Sequence, residues 1–156
     1  MRYFIKRTSD ADGTVFNVLD GLCSPTYRVG TLHPFPSCRL QVEDDNGVAA
    51  KIVKVSLQSL GAYSVSCTNM SFRIMLNGDS CAFHGVDWRV RGSITAKNFD
   101  ITDTVGNVIA VVASHSTVAN ALELNVFDKQ HEMACICATV CLNLAQTVDN
   151  LSVQPV

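Results

Sequence analysis

Three thiols crowd the end of this chain, at Cys135, Cys137 and Cys141. Thiolates can hold a metal or run redox chemistry when their side chains converge on one point. On a helix, residues 137 and 141 share a face one turn apart, whereas residue 135 is rotated about 200° from 137. Three thiolates so placed cannot meet on one ion, and no Cys-x-x-Cys pair occurs anywhere in the sequence. They read as small core hydrophobes, the usual role of an unpaired cysteine. No metal or other cofactor is expected.

His33, His84, His115 and His131 are scattered over four segments. His84, beside a turn, and His115, after a strand, read as surface or loop residues and not as catalysts. Asp87, Asp100 and Asp103 could serve acid–base chemistry, which uses neighbouring carboxylates whose pKa values are driven apart. Alternation instead puts Asp87, Arg89 and Arg91 on one strand face, with Trp88 and Val90 on the other. Phe99 and Ile101 then point inward and Asp100 outward, so Asp100 facing Arg89 or Arg91 makes a surface cross-strand ion pair. No Ser-His-Asp elbow, phosphate loop, dinucleotide fingerprint or zinc-hydrolase helix is present. The chain reads as non-enzymatic.

The basic residues carry the remaining chemistry. Arg2 with Lys6, and Arg89 with Arg91, are same-face pairs by parity, whereas Lys51 and Lys54 are not. Two such pairs meeting on one wall could hold a phosphorylated headgroup by charge-assisted hydrogen bonds. The competing reading is a set of solvated strand faces that blunt self-association.

What must position these residues is a run of short strands. Apolar–polar alternation and turn residues predict twelve: Arg2–Arg7, Thr14–Leu19, Thr26–Thr31, Ser37–Glu43, Val48–Val55, Ala62–Cys67, Ser71–Leu76, Ser80–His84, Asp87–Gly92, Asn98–Thr102, Val108–Ser114 and Ala121–Phe127. Asp12-Gly13, Asn46-Gly47 and Asn77-Gly78 carry the pairing that tolerates positive φ at hairpin turns. Asp20, Asp45, Asn77, Asp103 and Asp128 recur at roughly even spacing after apolar strand ends, one hairpin to each unit.

The pattern then changes. Met133 to Ala145 is apolar or small on every side, with Asn143 the one amide, which predicts a helix over Lys129–Thr147. A helix apolar all round has no solvent face and must be buried or lie in lipid. The apolar run falls short of the roughly 20 residues that span a bilayer, so Ile136, Val140 and Leu144 are expected in a protein core. The fold expected is mainly β: a closed antiparallel barrel of about twelve strands around a central hydrophobic C-terminal helix. Closure also removes the exposed edges that a twelve-stranded open sheet would carry.

The chain has 156 residues, 47% of them hydrophobic and 17% charged, with a net charge of −2. This fits one domain over residues 1–156 and gives no bulk electrostatic case for nucleic acid. Only three apolar residues separate the charges of Met1–Arg7, a strand and not a signal-peptide core. The seven cysteines are then expected to stay reduced, in the cytoplasm.

Phe83-His-Gly-Val-Asp-Trp-Arg-Val-Arg-Gly92, then Asn98-Phe-Asp-Ile-Thr-Asp103, then Gly106-Asn-Val-Ile-Ala110, then a strand into a short hydrophobic helix, resemble the LURP-one-related family. The chain is similar to its small bacterial members from about Tyr3 to Leu144. The resemblance implies a tubby C-terminal-like fold, a twelve-stranded barrel around a central helix. It implies relatives by fold that bind phosphoinositide headgroups or act as phospholipid scramblases, and no established activity for the family itself. The expectation is a binding or scaffold module that recognises a phosphorylated lipid headgroup or a protein on its outer wall. Arg89, Arg91, Arg2 and Lys6 are its candidate contacts. The competing reading is a membrane-tethering or scramblase-like protein.

Overall fold

The computed structural model describes residues 1–8, 13–33, 39–55, 61–114 and 118–153; for Leu32, His33 and residues 145–153 it describes backbone alone. Twelve strands follow one another: β1 Arg2–Arg7, β2 Thr14–Asp20, β3 Pro25–His33, β4 Arg39–Asp44, β5 Gly47–Lys54, β6 Gly61–Cys67, β7 Met70–Asn77, β8 Ser80–His84, β9 Trp88–Ser93, β10 Asn98–Asp103, β11 Val108–Ser114 and β12 Ala121–Val126. A 3-10 turn, Lys129–His131, leads into the helix α1, Glu132–Val153. Pro25 opens β3, where a missing N–H costs least. Residues 37 and 38, expected to begin the fourth strand, lie outside the described residues.

The strands form one antiparallel sheet in the order β8-β7-β6-β5-β4-β3-β2-β1-β12-β11-β10-β9. The first strand pairs with the last, Tyr3 opposite Leu124 and Ile5 opposite Leu122, so the sheet curls round on itself. Alternation explains the curl. Phe16, Val18, Val29, Val42, Ile52, Val65, Ile74, Ile101 and Leu124 are fully buried, and they fall on one face of their strands. That face can be dry only if it wraps a core.

The core is α1. Every residue from Ala134 to Leu142 is at most 2% exposed, which no helix lying on an outer surface could show. Ile136 and Val140 are sealed, and Leu144 is half-buried against the same cluster. The one hydroxyl in this stretch, on Thr139, donates to the Cys135 carbonyl at 2.8 Å, so no polar group is stranded there. Asp128 starts the turn: its carboxylate accepts from the Gln130 N–H at 3.0 Å and lies 3.0 Å from His131 Nδ1.

Closure differs from expectation at one place. β8 and β9 are the two ends of the sheet order, and among the described residues no ladder joins them. Side chains close this seam instead. Phe72, Phe83 and Trp88 pack with ring centroids 5.7–6.1 Å apart, and His131 sets its edge on Trp88 at 5.6 Å. At the far end Asp79, in the β7–β8 turn, accepts from the Thr95 N–H and hydroxyl, both at 2.8 Å, and from Ser93. These bonds hold the Asp79 carboxyl below the usual carboxylate range.

Two other expectations need correction. The helix runs past Thr147 to Val153, because no glycine or proline interrupts it until Pro155. The acidic turns do not mark one hairpin each. Asp20, Asp45, Asp103 and Asp128 lie at the end where α1 begins, but Asn77 ends β7 at the opposite end, after three strands instead of two.

Gly92 interrupts β9 at φ +108, where an added Cβ would lie 2.7 Å from the Asn98 carbonyl oxygen. Gly47 has φ +122 but open space around it. Both strain an alanine, and only Gly92 adds a collision with backbone. Gly92→Ala should cost roughly 2–4 kcal/mol in urea unfolding and Gly47→Ala only about 1–2 kcal/mol. Equal losses would show that the close approach of β9 and β10 is immaterial.

Candidate functional site

Arg89 and Arg91 point outward from β9 as parity requires, and both are exposed. Arg91 faces Asp100 across the β9–β10 ladder and pairs with it at 3.0 Å, while Arg89 stands opposite Thr102. Arg2 and Lys6 point outward from β1. Arg2 pairs with Glu123 of β12, its guanidinium 4.9 Å from the centre of the Phe4 ring. Arg89 and Lys6 form no ion pair with any described residue. The two pairs do not meet. β10, β11 and β12 stand between β9 and β1, and four ladder steps of about 4.8 Å put roughly 19 Å between the rows. No single phosphate bridges that gap.

The carboxylates organise turns. Asp103 accepts from the N–H groups of Val105 at 3.0 Å and Asn107 at 2.9 Å, and from the Asn107 amide at 3.0 Å. These hydrogen bonds, the Asn107 amide first, hold its carboxyl below the usual range, so it stays an acceptor and is unsuited to proton transfer near neutrality. Asp20 does the same work for the Leu22 and Ser24 N–H groups, each at 2.9 Å. Asp87 and His84 are exposed. The His33 side chain and His115 lie outside the described residues. Among the described residues no three His, Cys, Asp or Glu side chains are grouped to hold a metal.

Sequence reasoning missed the two barrel ends. Antiparallel order sends the β2–β3, β4–β5 and β10–β11 turns, the start of β1 and the end of β12 to one rim, where α1 begins. Leu22 at the tip of the first turn is 89% exposed, Val105 in the third 84%, and Phe127 after β12 65%. Met1 and Val48 are exposed at the same rim. Of the large apolar residues exposed among those described, Val55 and Met75 alone lie elsewhere. Scattered exposed leucines mean little; apolar tips gathered on one rim mark a contact surface. The signal was present in the sequence as an apolar residue inside a turn, in Gly21-Leu22-Cys23 and Thr104-Val105-Gly106.

The opposite rim holds a cavity of about 140 Å³ lined by Val15, Thr31, Leu40, Ile52, Lys54, Tyr63 and Leu144. Val15 reaches it because the β2–β3 register slips between Thr14 and Phe16, which leaves Val15 as an extra residue turned inward.

No protein-family model and no curated protein sequence matches the chain. Among solved structures, the X-ray structure of an Arabidopsis thaliana protein, AT5G01750, superposes with a TM-score of 0.62 at 10% identity, over 92% of this chain and 91% of that one. At this identity the likeness establishes the architecture alone.

Among the described cysteines, Cys67 and Cys81 are half-buried. Cys135, Cys137 and Cys141 are buried and free, and Cys23 is exposed. Burial pushes the Cys81 and Cys135 thiols up to about 12 and raises Cys137 and Cys141 as well. A thiol raised in this way keeps its proton in the folded chain after the unfolded chain has lost it. Its contribution is complete below about pH 8.5, the unfolded value, and is lost as pH climbs toward the folded one. Stability should therefore fall above about pH 8.5. Cys137→Ala should flatten that fall in urea-unfolding free energies measured from pH 7 to 10, with little effect below about pH 8 and an effect approaching about 1.4 kcal/mol per pH unit at the alkaline end. An unchanged slope would show that Cys137 is not desolvated.

Proposed function

We propose that the protein is a LURP-one-related, non-enzymatic binding module of the cytoplasm that docks a basic, partly apolar protein segment on the rim where α1 begins. The observation that carries this reading is the set of apolar tips Leu22, Val105 and Phe127, exposed side by side with acidic turns. Asp20, Asp45, Asp87, Asp103 and Asp128 give that rim negative charge, while Lys129 is exposed there and Arg2 is tied to Glu123. An anionic bilayer is repelled by such a field, whereas a lysine- or arginine-rich segment is steered to it. Buried apolar anchors then supply the affinity.

A membrane-tethering role has less support. Among the described residues no helix is long and apolar enough to cross a membrane. The apolar stretch of α1 is covered on every side, so it has no free face for lipid. A headgroup contact on the outer wall keeps one specific observation in its favour: Arg89 is exposed, beside Arg91 on the same face, with no described anion of its own.

Selection from a random peptide library separates these readings. Peptides enriched on the wild type should combine Lys or Arg with aromatic or aliphatic residues and weaken at high salt. They should lose at least about tenfold in affinity for a Leu22→Ser, Val105→Ser, Phe127→Ser triple variant. Neutral or acidic peptides, or equal binding to the triple variant, would overturn the rim reading. Salt-sensitive sedimentation with phosphoinositide vesicles that Arg89→Ala, Arg91→Ala abolishes would favour the wall instead.

A further inference from the structure

Lys54 does not behave like the other basic residues of the wall. Ala50, Ile52 and Lys54 alternate along β5, and Ala50 and Ile52 are sealed in the core. Parity therefore turns the Lys54 side chain to the interior, and it lines the cavity with Ile52, Leu40, Val15 and Leu144. Tyr63 faces Lys54 across the β5–β6 ladder, and Leu40 faces Ile52 across the β4–β5 ladder. The Thr31 hydroxyl on the cavity wall is already committed to the Gly13 carbonyl at 3.3 Å. Lys54 has no ion-pair partner among the described residues. The stem of Lys54 lines an apolar space, and the charged tip of such a stem either reaches water at the mouth or meets an anion there.

The cavity has a size that fixes the scale of an occupant. It holds about 140 Å³, close to the roughly 150 Å³ apolar cavity that takes up one benzene. A body of about six carbons fills it. Its walls offer aliphatic and aromatic carbon from five neighbouring strands, β2 to β6, and from α1, a surface that suits a hydrocarbon body and leaves the polar groups of a sugar or nucleotide unpaired. Lys54, the one cation among the described lining residues, sets the polarity of the occupant: carbon inward, negative end toward its ammonium.

We propose that this cavity binds a small amphiphilic carboxylic acid, an aliphatic chain of about six carbons whose carboxylate is held by the Lys54 ammonium. The site lies at the opposite end of the barrel from the docking rim and is independent of it. Both could be occupied at once. The aliphatic chain replaces water in the apolar space, and the carboxylate supplies a counter-charge that no described residue gives Lys54.

Hexanoate and its neutral counterpart 1-hexanol test this directly on the full chain, read by methyl resonances of Val15, Leu40, Ile52 and Leu144. Hexanoate should shift these methyls saturably and bind about tenfold or more tightly than hexanol. Lys54→Met keeps the apolar stem and removes the charge. It should bring hexanoate down to the level of hexanol while leaving hexanol binding and the thermal midpoint nearly unchanged. Leu40→Trp fills the cavity and should abolish both ligands, with circular dichroism confirming the fold. If hexanoate leaves the methyls unmoved, or if Lys54→Met binds hexanoate as the wild type does, the proposal is wrong and Lys54 simply reaches past the cavity to water.

Discussion

A helix with no polar side cannot rest against a surface; it has to be surrounded. From Ala134 to Leu142 every residue of α1 is buried, and most of the molecule follows from that demand. Enclosing a cylinder about 10 Å across takes a sheet long enough to wrap it, and twelve strands do so. Each strand must then present carbon inward at every second position, which is the alternation seen from Phe16 to Leu124. Burying side chains such as Ile136, Val140 and Leu142 is worth about 1.5–3 kcal/mol each, and none of this is recovered if the barrel opens. The helix and the sheet are each unstable without the other.

The seam shows how that mutual dependence is secured. A ladder between β8 and β9 would have closed the barrel through backbone hydrogen bonds, but the chain closes it with rings and one carboxylate. Trp88 touches Phe72 and Phe83 of the far edge and His131 of the turn that launches the helix. One side chain thus joins both sheet edges to the core element. Asp79 finishes the closure at the other end through Thr95 and Ser93. The outer wall, by contrast, is bound up in cross-strand ion pairs, Arg28 with Glu43 and Arg91 with Asp100. What chemistry remains lies at the two ends, one acidic and tipped with apolar side chains, the other a small apolar cavity with an inward lysine.

Much of this was legible in the sequence. Period-two alternation located all twelve strands, Asn46-Gly47 and Asn77-Gly78 located tight turns, and an apolar run without a polar side identified the core helix. Parity put Asp100 opposite Arg89 or Arg91, and the register of the ladder selects Arg91. The misses have physical reasons. Parity puts Val15 outside, and a slip of register turns it in. Nothing local announces that Asp79 will reach Thr95, because the contact exists only once the barrel has closed. The gathering of Leu22, Val105 and Phe127 needs strand direction as well as strand position. Lys54 reads as surface from its charge and as interior from its place beside Ile52. Parity already separates it from Lys51, and the structure puts its stem on the side of Ile52.

Hydrogen exchange of the native protein tests the enclosure of α1 most directly. If the helix is the axis of the barrel, the amides of Ile136 to Leu142 exchange only when the whole molecule unfolds. Their opening free energies then equal those of Ile5, Val18 and Leu124 and match the stability from urea unfolding. Helix amides that exchange at a distinctly lower free energy, while the strands remain protected, would contradict it and show a helix that leaves the sheet intact when it detaches.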